Sequence, residues 1–117
     1  MYKINLYFKS NIEGVYTKEE ETATDKFQLV DKKYRMIDRW FNILCPHIDI
    51  HKYKSNVLDM YRLSKKKEFD IFDEMMKLQV RFIKQTLDEM DEFDELITGE
   101  DTTQETMRKF EITVEEF

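Results

Sequence analysis

The sequence predicts a mainly α fold, a small helical domain with a short N-terminal β-strand or hairpin. Three observations lead there. Glu68 to Ile97 reads as one long helix with two apolar stripes. Phe27, Val30, Tyr34, Ile37, Phe41 and Leu44 recur at spacings of three and four, a second helical seam. Two glycines and one proline are too few for the many turns of an all-β fold. At 117 residues the chain makes one domain, 1–117, large enough for a core. It divides into a β element over 1–17, a helical core over 24–99, and a short helix and tail over 100–117. A hydrophobic content of 41%, with nine Phe, six Tyr and Trp40, argues against disorder.

The elements follow in order. Tyr2, Ile4, Leu6 and Phe8 alternate with Lys3, Asn5, Tyr7 and Lys9, the period of a half-buried strand. Asn11 and Gly14 mark a turn, and Val15-Tyr16-Thr17 returns as a short second strand. Lys18 to Thr22 is polar and reads as a loop or the approach to a helix. The first helix runs near 27–45. Thr24 or Asp25 caps it by accepting from free backbone N–H groups, and Pro46 stops it. Leu29 and Trp40 widen its seam into a core face. Ser55 caps a short helix near 55–63, with Val57, Leu58 and Tyr61 on its apolar side. Ser64-Lys65-Lys66-Lys67 leads into the long helix near 68–97, and Gly99 ends it as a left-handed C-cap.

Thr102-Thr103-Gln104-Glu105 has capping-box spacing ahead of a short helix through Met107 and Phe110. Phe110, Ile112 and Val114 then alternate with Glu111, Thr113 and Glu115. That tail is either a strand beside the N-terminal hairpin or frayed.

The long helix is the informative element. Phe69, Phe72, Met76, Val80, Ile83, Leu87, Met90 and Ile97 form one stripe at 3.6 residues per turn. Ile71, Met75, Leu78, Phe82, Phe93 and Leu96 form another beside it. A helix apolar over half its circumference must bury a second side, in a core or against a partner. With the first stripe supplying a core face, the second is the expected partner-binding surface. Its first four residues lie within about 60° of one another on the helix, and aromatics and Met are enriched at such surfaces.

The net charge of −6 is unevenly placed. Residues 1–84 hold 17 Lys and Arg against 13 Asp and Glu, a balance of +4. Residues 85–117 hold 2 against 12, a balance of −10, with no basic residue between Lys84 and Arg108. Opposite halves permit head-to-tail contact between copies, and the acidic half disfavours nucleic acid. The bland reading of the acidic run is a solvated, solubilising face. Cys45 is the one cysteine, so no intrachain disulfide forms and a reducing compartment fits. Neither a signal peptide nor a membrane-spanning apolar run is evident, so a soluble, intracellular protein without membrane contact is expected.

Little in the chain suggests catalysis. Cys45, His47, Asp49 and His51 could ligate zinc if the segment were extended, but a helical turn would align only the two histidines. A Cys45 nucleophile would need an orienting group and an oxyanion cradle, and nothing marks either. Asp88 to Glu95 lacks the order of a calcium loop. Lys65-Lys66-Lys67 has no interleaved aromatics for nucleic acid, and there is no glycine-rich phosphate loop. No metal, no cofactor and no enzyme activity is expected.

The opening Met1-Tyr2-Lys3-Ile4-Asn5-Leu6-Tyr7-Phe8-Lys9, the helices after it, the short acidic chain and its Lys-, Ile-, Asp- and Tyr-rich usage resemble a family. They look like the tail assembly chaperones of long-tailed phages of Gram-positive bacteria, most of all the tape measure protein chaperones of lactococcal phages. The resemblance spans the chain in length and order of elements and carries no invariant motif. It implies a non-enzymatic protein of the host cytoplasm that forms a homo-oligomer. Its copies would coat the tape measure protein before tail tube subunits polymerise around it. The rival reading is a small acidic phage-encoded inhibitor, a nucleic-acid mimic that binds a host protein. A metal enzyme built on Cys45 to His51 comes third.

Overall fold

A computed structural model describes residues 1–10, 16–49, 54–55, 59, 68–99 and 107–117. Five elements are set out in it: β1 (Tyr2–Lys9), β2 (Tyr16–Ala23), α1 (Lys26–Leu44), α2 (Glu68–Thr98) and β3 (Lys109–Glu116). The strands form one antiparallel sheet in the order β2-β1-β3. The fold is therefore a small mixed α/β protein, with a sheet layer under two helices; the expected helical majority is present, but the β element is a three-stranded sheet and not a strand or hairpin. Of the expected short helix over 55–63, only Ser55 and Asp59 are described, both helical along with Lys54. The capping box at 102–105 lies outside the described residues.

β1 forms as its alternation predicts. Ile4 and Leu6 are buried on the helix side, while Lys3, Asn5, Tyr7 and Lys9 face out. β2 corrects the sequence reading, because Lys18 to Thr22 is strand and not loop. Register explains it: each residue of β2 pairs one of β1, from Lys9 opposite Tyr16 to Tyr2 opposite Ala23. Glutamates are poor strand formers, but the ladder and the helix above supply partners that propensity does not see. On the helix side of β2, Glu19 pairs with Arg39 of α1, and Lys32 reaches Glu21 at 3.9 Å and donates to the Thr22 carbonyl at 2.6 Å. The tail is also a strand, the first of its two expected forms. It pairs β1 from Phe8 opposite Phe110 to Tyr2 opposite Glu116. Phe110 is thus a buried strand residue, not part of a final helix.

α1 starts where a cap can form. The Asp25 carboxylate accepts from the Gln28 N–H at 2.8 Å, and the Gln28 side chain accepts from the Thr24 N–H at 3.1 Å. This reciprocal pair satisfies two donors that the first turn would otherwise leave open. Cys45 closes the other end, its N–H donating to the Phe41 carbonyl at 2.8 Å, one residue before Pro46. The seam buries Met36, Ile37, Trp40 and Phe41. Phe27, expected to open that seam, is 66% exposed.

The two helices run parallel. Asp38 meets Gln79, Phe41 meets Phe82 and Cys45 meets Thr86, each pair 41 residues apart, and Tyr34 meets Phe72 one and two turns earlier. One core joins the layers: Ile4 and Leu6 from β1, Met36, Trp40 and Phe41 from α1, Ile83 and Leu87 from α2, and Phe110 from β3. Trp40 sits at its centre, with ring centroids 4.8 Å from Phe8 and 6.4 Å from Phe110.

The helices differ in length. At 1.5 Å per residue, α1 is about 28 Å long and α2 about 46 Å. They start level, so α2 overhangs the end of α1 by about 18 Å. A helix of that length fits only along the 51 Å axis of the molecule, whose other extents are 35 and 18 Å. Gly99 ends α2 as expected, in the left-handed region at φ +69°, with its N–H on the Glu95 carbonyl at 2.8 Å.

Phe82 and Phe93 belong to one stripe yet should behave differently. Phe82 packs against the core, and Phe93 is 62% exposed. Phe82→Ala should cost about 2–4 kcal/mol and Phe93→Ala under about 0.5 kcal/mol. Urea unfolding midpoints check this; equal shifts would mean that the stripe has one environment throughout.

Candidate functional site: the overhang of the long helix

The overhang is produced by a seam that outruns its partner. Along α2, Phe72, Met75, Gln79, Phe82 and Thr86 face α1 at alternating spacings of three and four. After Thr86 a second step of four reaches Met90 on the same face, and steps of three and four carry it to Phe93 and Ile97, with Leu96 beside them, after α1 has ended at Leu44. Exposure changes accordingly. Met75 is 5% exposed, and Ile71, Leu78 and Phe82 are half-buried. Met90 is 39% exposed, Phe93 62%, Leu96 84% and Ile97 67%.

This divides the expected partner surface. Met75 is buried and Phe82 packs against the core, its ring 6.3 Å from Phe41, while Ile71 and Leu78 are half-buried. Phe93 and Leu96 stay accessible. The first stripe divides at the same level. Met76, Ile83 and Leu87 are core, whereas Met90 and Ile97, expected in the core, are exposed. Among the described residues both stripes are therefore buried or half-buried alongside α1, and both reach solvent beyond it.

The overhang is acidic. Asp91 is buried and Asp94 half-buried, and Arg108, just before β3, holds both. Its guanidinium lies 2.8 Å from Asp91 Oδ1 and 2.8 Å from Asp94 Oδ2, and its backbone N–H donates to Asp91 Oδ2 at 3.2 Å. A carboxylate as buried as Asp91 needs such a partner, because an unpaired buried charge costs several kcal/mol. Arg108 so anchors the near half of the overhang to the sheet. Among the described residues, no cation pairs with Asp88, Glu89, Glu92 or Glu95; Glu89 accepts only from Gln85, at 3.4 Å. Arg108 was missed as a structural residue in the sequence. Its signal was there, as the first cation after a long acidic run.

A polar knot fixes the register of the two helices. Gln79 is fully buried and its amide donates to Asp38 Oδ1 at 2.7 Å. Lys54 lies 3.6 Å from the same carboxylate and 5.5 Å from the Tyr34 ring centre. Burial lowers the pKa of Lys54, but the Tyr34 hydroxyl and the Asp38 carboxylate outweigh it and leave the ammonium above the ordinary lysine range. Sliding α1 along α2 by one turn would strand these groups without partners, a cost that apolar stripes alone do not impose.

Of the residues considered for metal or nucleophilic chemistry, the described ones, Cys45, His47 and Asp49, do not come together. Cys45 is buried, with its Sγ 3.3 Å from Thr86 Oγ1, while His47 and Asp49 are exposed and His51 lies outside the described residues. Burial pushes the Cys45 thiol above its ordinary range, against the lowering effect of the Thr86 hydrogen bond. A nucleophilic cysteine needs the opposite shift. Among the described residues no three His, Cys, Asp or Glu side chains converge as metal ligands, and no helix is long and apolar enough to cross a membrane. Comparison with family models, curated proteins and solved structures found no match.

Two outcomes follow from this geometry. Arg108→Ala should speed amide hydrogen exchange in 91–97 while 75–87 stays protected; uniform protection across α2 would show that Arg108 does not anchor the overhang. Cys45 should resist alkylation by iodoacetamide in the native protein and react once urea unfolds it, so rapid native labelling would contradict its burial.

Proposed function

We propose that this protein is a non-enzymatic phage tail assembly chaperone of the host cytoplasm, which self-associates and coats the tape measure protein before tail tube polymerisation. The observation that carries the reading is the apolar seam of α2 beyond Leu44. Soluble monomers seldom expose a contiguous run of large apolar side chains on a regular element unless it meets a partner. Four such residues on a helix end suit reversible cover for apolar segments of an elongated client. The acidic rim keeps the loaded complex soluble. The opposite charge of the residue 1–84 body lets neighbouring copies on one client attract each other. The short acidic chain and its order of elements support the phage assignment.

The second reading, an acidic nucleic-acid mimic that binds a host protein, draws on the exposed carboxylates Asp88, Glu89 and Glu92. A mimic has no need of Phe93 and Leu96 between them, which favours the chaperone.

Co-expression separates the two. The tape measure protein encoded with this chain should stay soluble and co-purify with several copies of it. Added salt should loosen the copies from one another, because screening cuts the reach of their attraction to about 10 Å at 0.1 M. A chain that stays monomeric at high concentration and low salt, and leaves the tape measure protein insoluble, would remove this reading.

A further inference from the structure

We propose that the overhang of α2 is a docking seam for one particular occupant: a helix of the client that carries apolar residues three and four apart, flanked by Lys or Arg. This deepens the client-binding reading above and rests on it.

The shape argument comes from the fold itself. Over the body of the protein, α1 lies parallel to α2 in fixed register, and Phe82 and Thr86 are its last contacts there. Met90, Phe93 and Ile97 continue the seam at spacings of three and four, with Leu96 beside them, so the surface they offer is shaped for a helix. A strand, with its period of two, would match at most alternate residues. An occupant following α1 along the seam has room for about three turns.

Charge selects among helices. Glu89 and Glu92 border the seam on one side, and on the other side Asp94 is already held by Arg108. A partner helix with acidic or neutral flanks leaves Glu89 and Glu92 uncompensated as it excludes water from them, whereas Lys or Arg flanks pair with them. The same argument disfavours a second copy docked overhang to overhang, since a two-fold contact would set acidic rim against acidic rim.

The test uses the full chain and three labelled synthetic peptides of roughly 18 residues, long enough for a helix to form on the seam. The first has Leu at spacings of three and four with Lys flanks. The second replaces every Lys by Glu. The third scrambles the order of the first. Fluorescence anisotropy should show the first binding best, with the second and third weaker by about tenfold or more. Phe93→Ser with Leu96→Ser should weaken the first by about tenfold or more. Both side chains are exposed, so the thermal midpoint should hold. Glu89→Gln with Glu92→Gln should weaken it less and flatten its salt dependence.

Equal binding of the Lys and Glu peptides, or binding untouched by the Ser pair, would overturn the proposal. So would a Ser pair that turns an oligomer into monomers in sedimentation, because a second copy would then fill the seam. If the Lys peptide binds as described and the tape measure protein does not co-purify, the phage reading fails and the seam stands. If it co-purifies equally well with the Ser pair, the seam fails and the phage reading stands.

Discussion

The parallel pairing of α1 with α2 is the contact on which the rest of the molecule depends. α2 is apolar on two sides, and neither side alone would leave a stable helix in water. α1 covers one side through Phe41 against Phe82, and the core shared with β1 and β3 covers the other through Ile83 and Leu87. Gln79 and Asp38 then fix where along its length the pairing starts. Once that register is set, the difference between a helix of 19 residues and one of 31 becomes an overhang at one end only. The exposed seam is a consequence of helix length, and needs no separate structural device.

The sheet stays at the level of α1 for a related reason. β2 has little apolar surface to bury, so it is held by its ladder to β1 and by Arg39 and Lys32 reaching down from α1. The ion pairs are half-exposed and individually worth under about 1 kcal/mol. Their value lies in position, because they place α1 over the β2 side of the sheet and leave the β3 side to α2. Both outer strands carry Lys and Glu along their lengths, which discourages edge-to-edge pairing with other chains. The sheet edges are therefore poor association surfaces, whereas the end of α2 offers a run of exposed apolar side chains.

Much of this was legible in the sequence where periodicity and capping act locally. β1, the limits of α1, the extent of α2 and the Gly99 cap all follow from patterns of a few residues. The start of β2 at Tyr16 and Thr17 was legible, but its continuation was not, because Lys18 to Thr22 has neither alternation nor strand-forming residues and takes its conformation from β1. Phe110 reads equally well as the end of a helix or the start of a strand, and only pairing with Phe8 decides it. Phe27 has the spacing of a core residue but sits more than two turns before the buried part of the seam, which begins at Met36. The two stripes of α2 were visible, and so was the need for two neighbours. What spacing could not reveal was that α1 would pack on Phe82 and then stop. Burial of Met90 and Ile97 was expected for the same reason: a period says which side of a helix is apolar, never how far the neighbour reaches.

The overhang is also where local stability should be lowest, and this bears on binding. From Phe72 to Leu87 α2 is held by α1 and by the core, so its backbone hydrogen bonds there should open only with the whole fold. Past Leu87 the helix keeps its Arg108 anchor on one side and little else. Each further turn is held by intrahelical hydrogen bonds and the Gly99 cap, which are marginal alone. A partner that packs on Phe93 and Leu96 would replace the missing neighbour and extend the protected region toward Gly99. Part of its binding energy would then go into ordering the last turns of α2, which lowers affinity. Lower affinity suits a protein that must let go of its client.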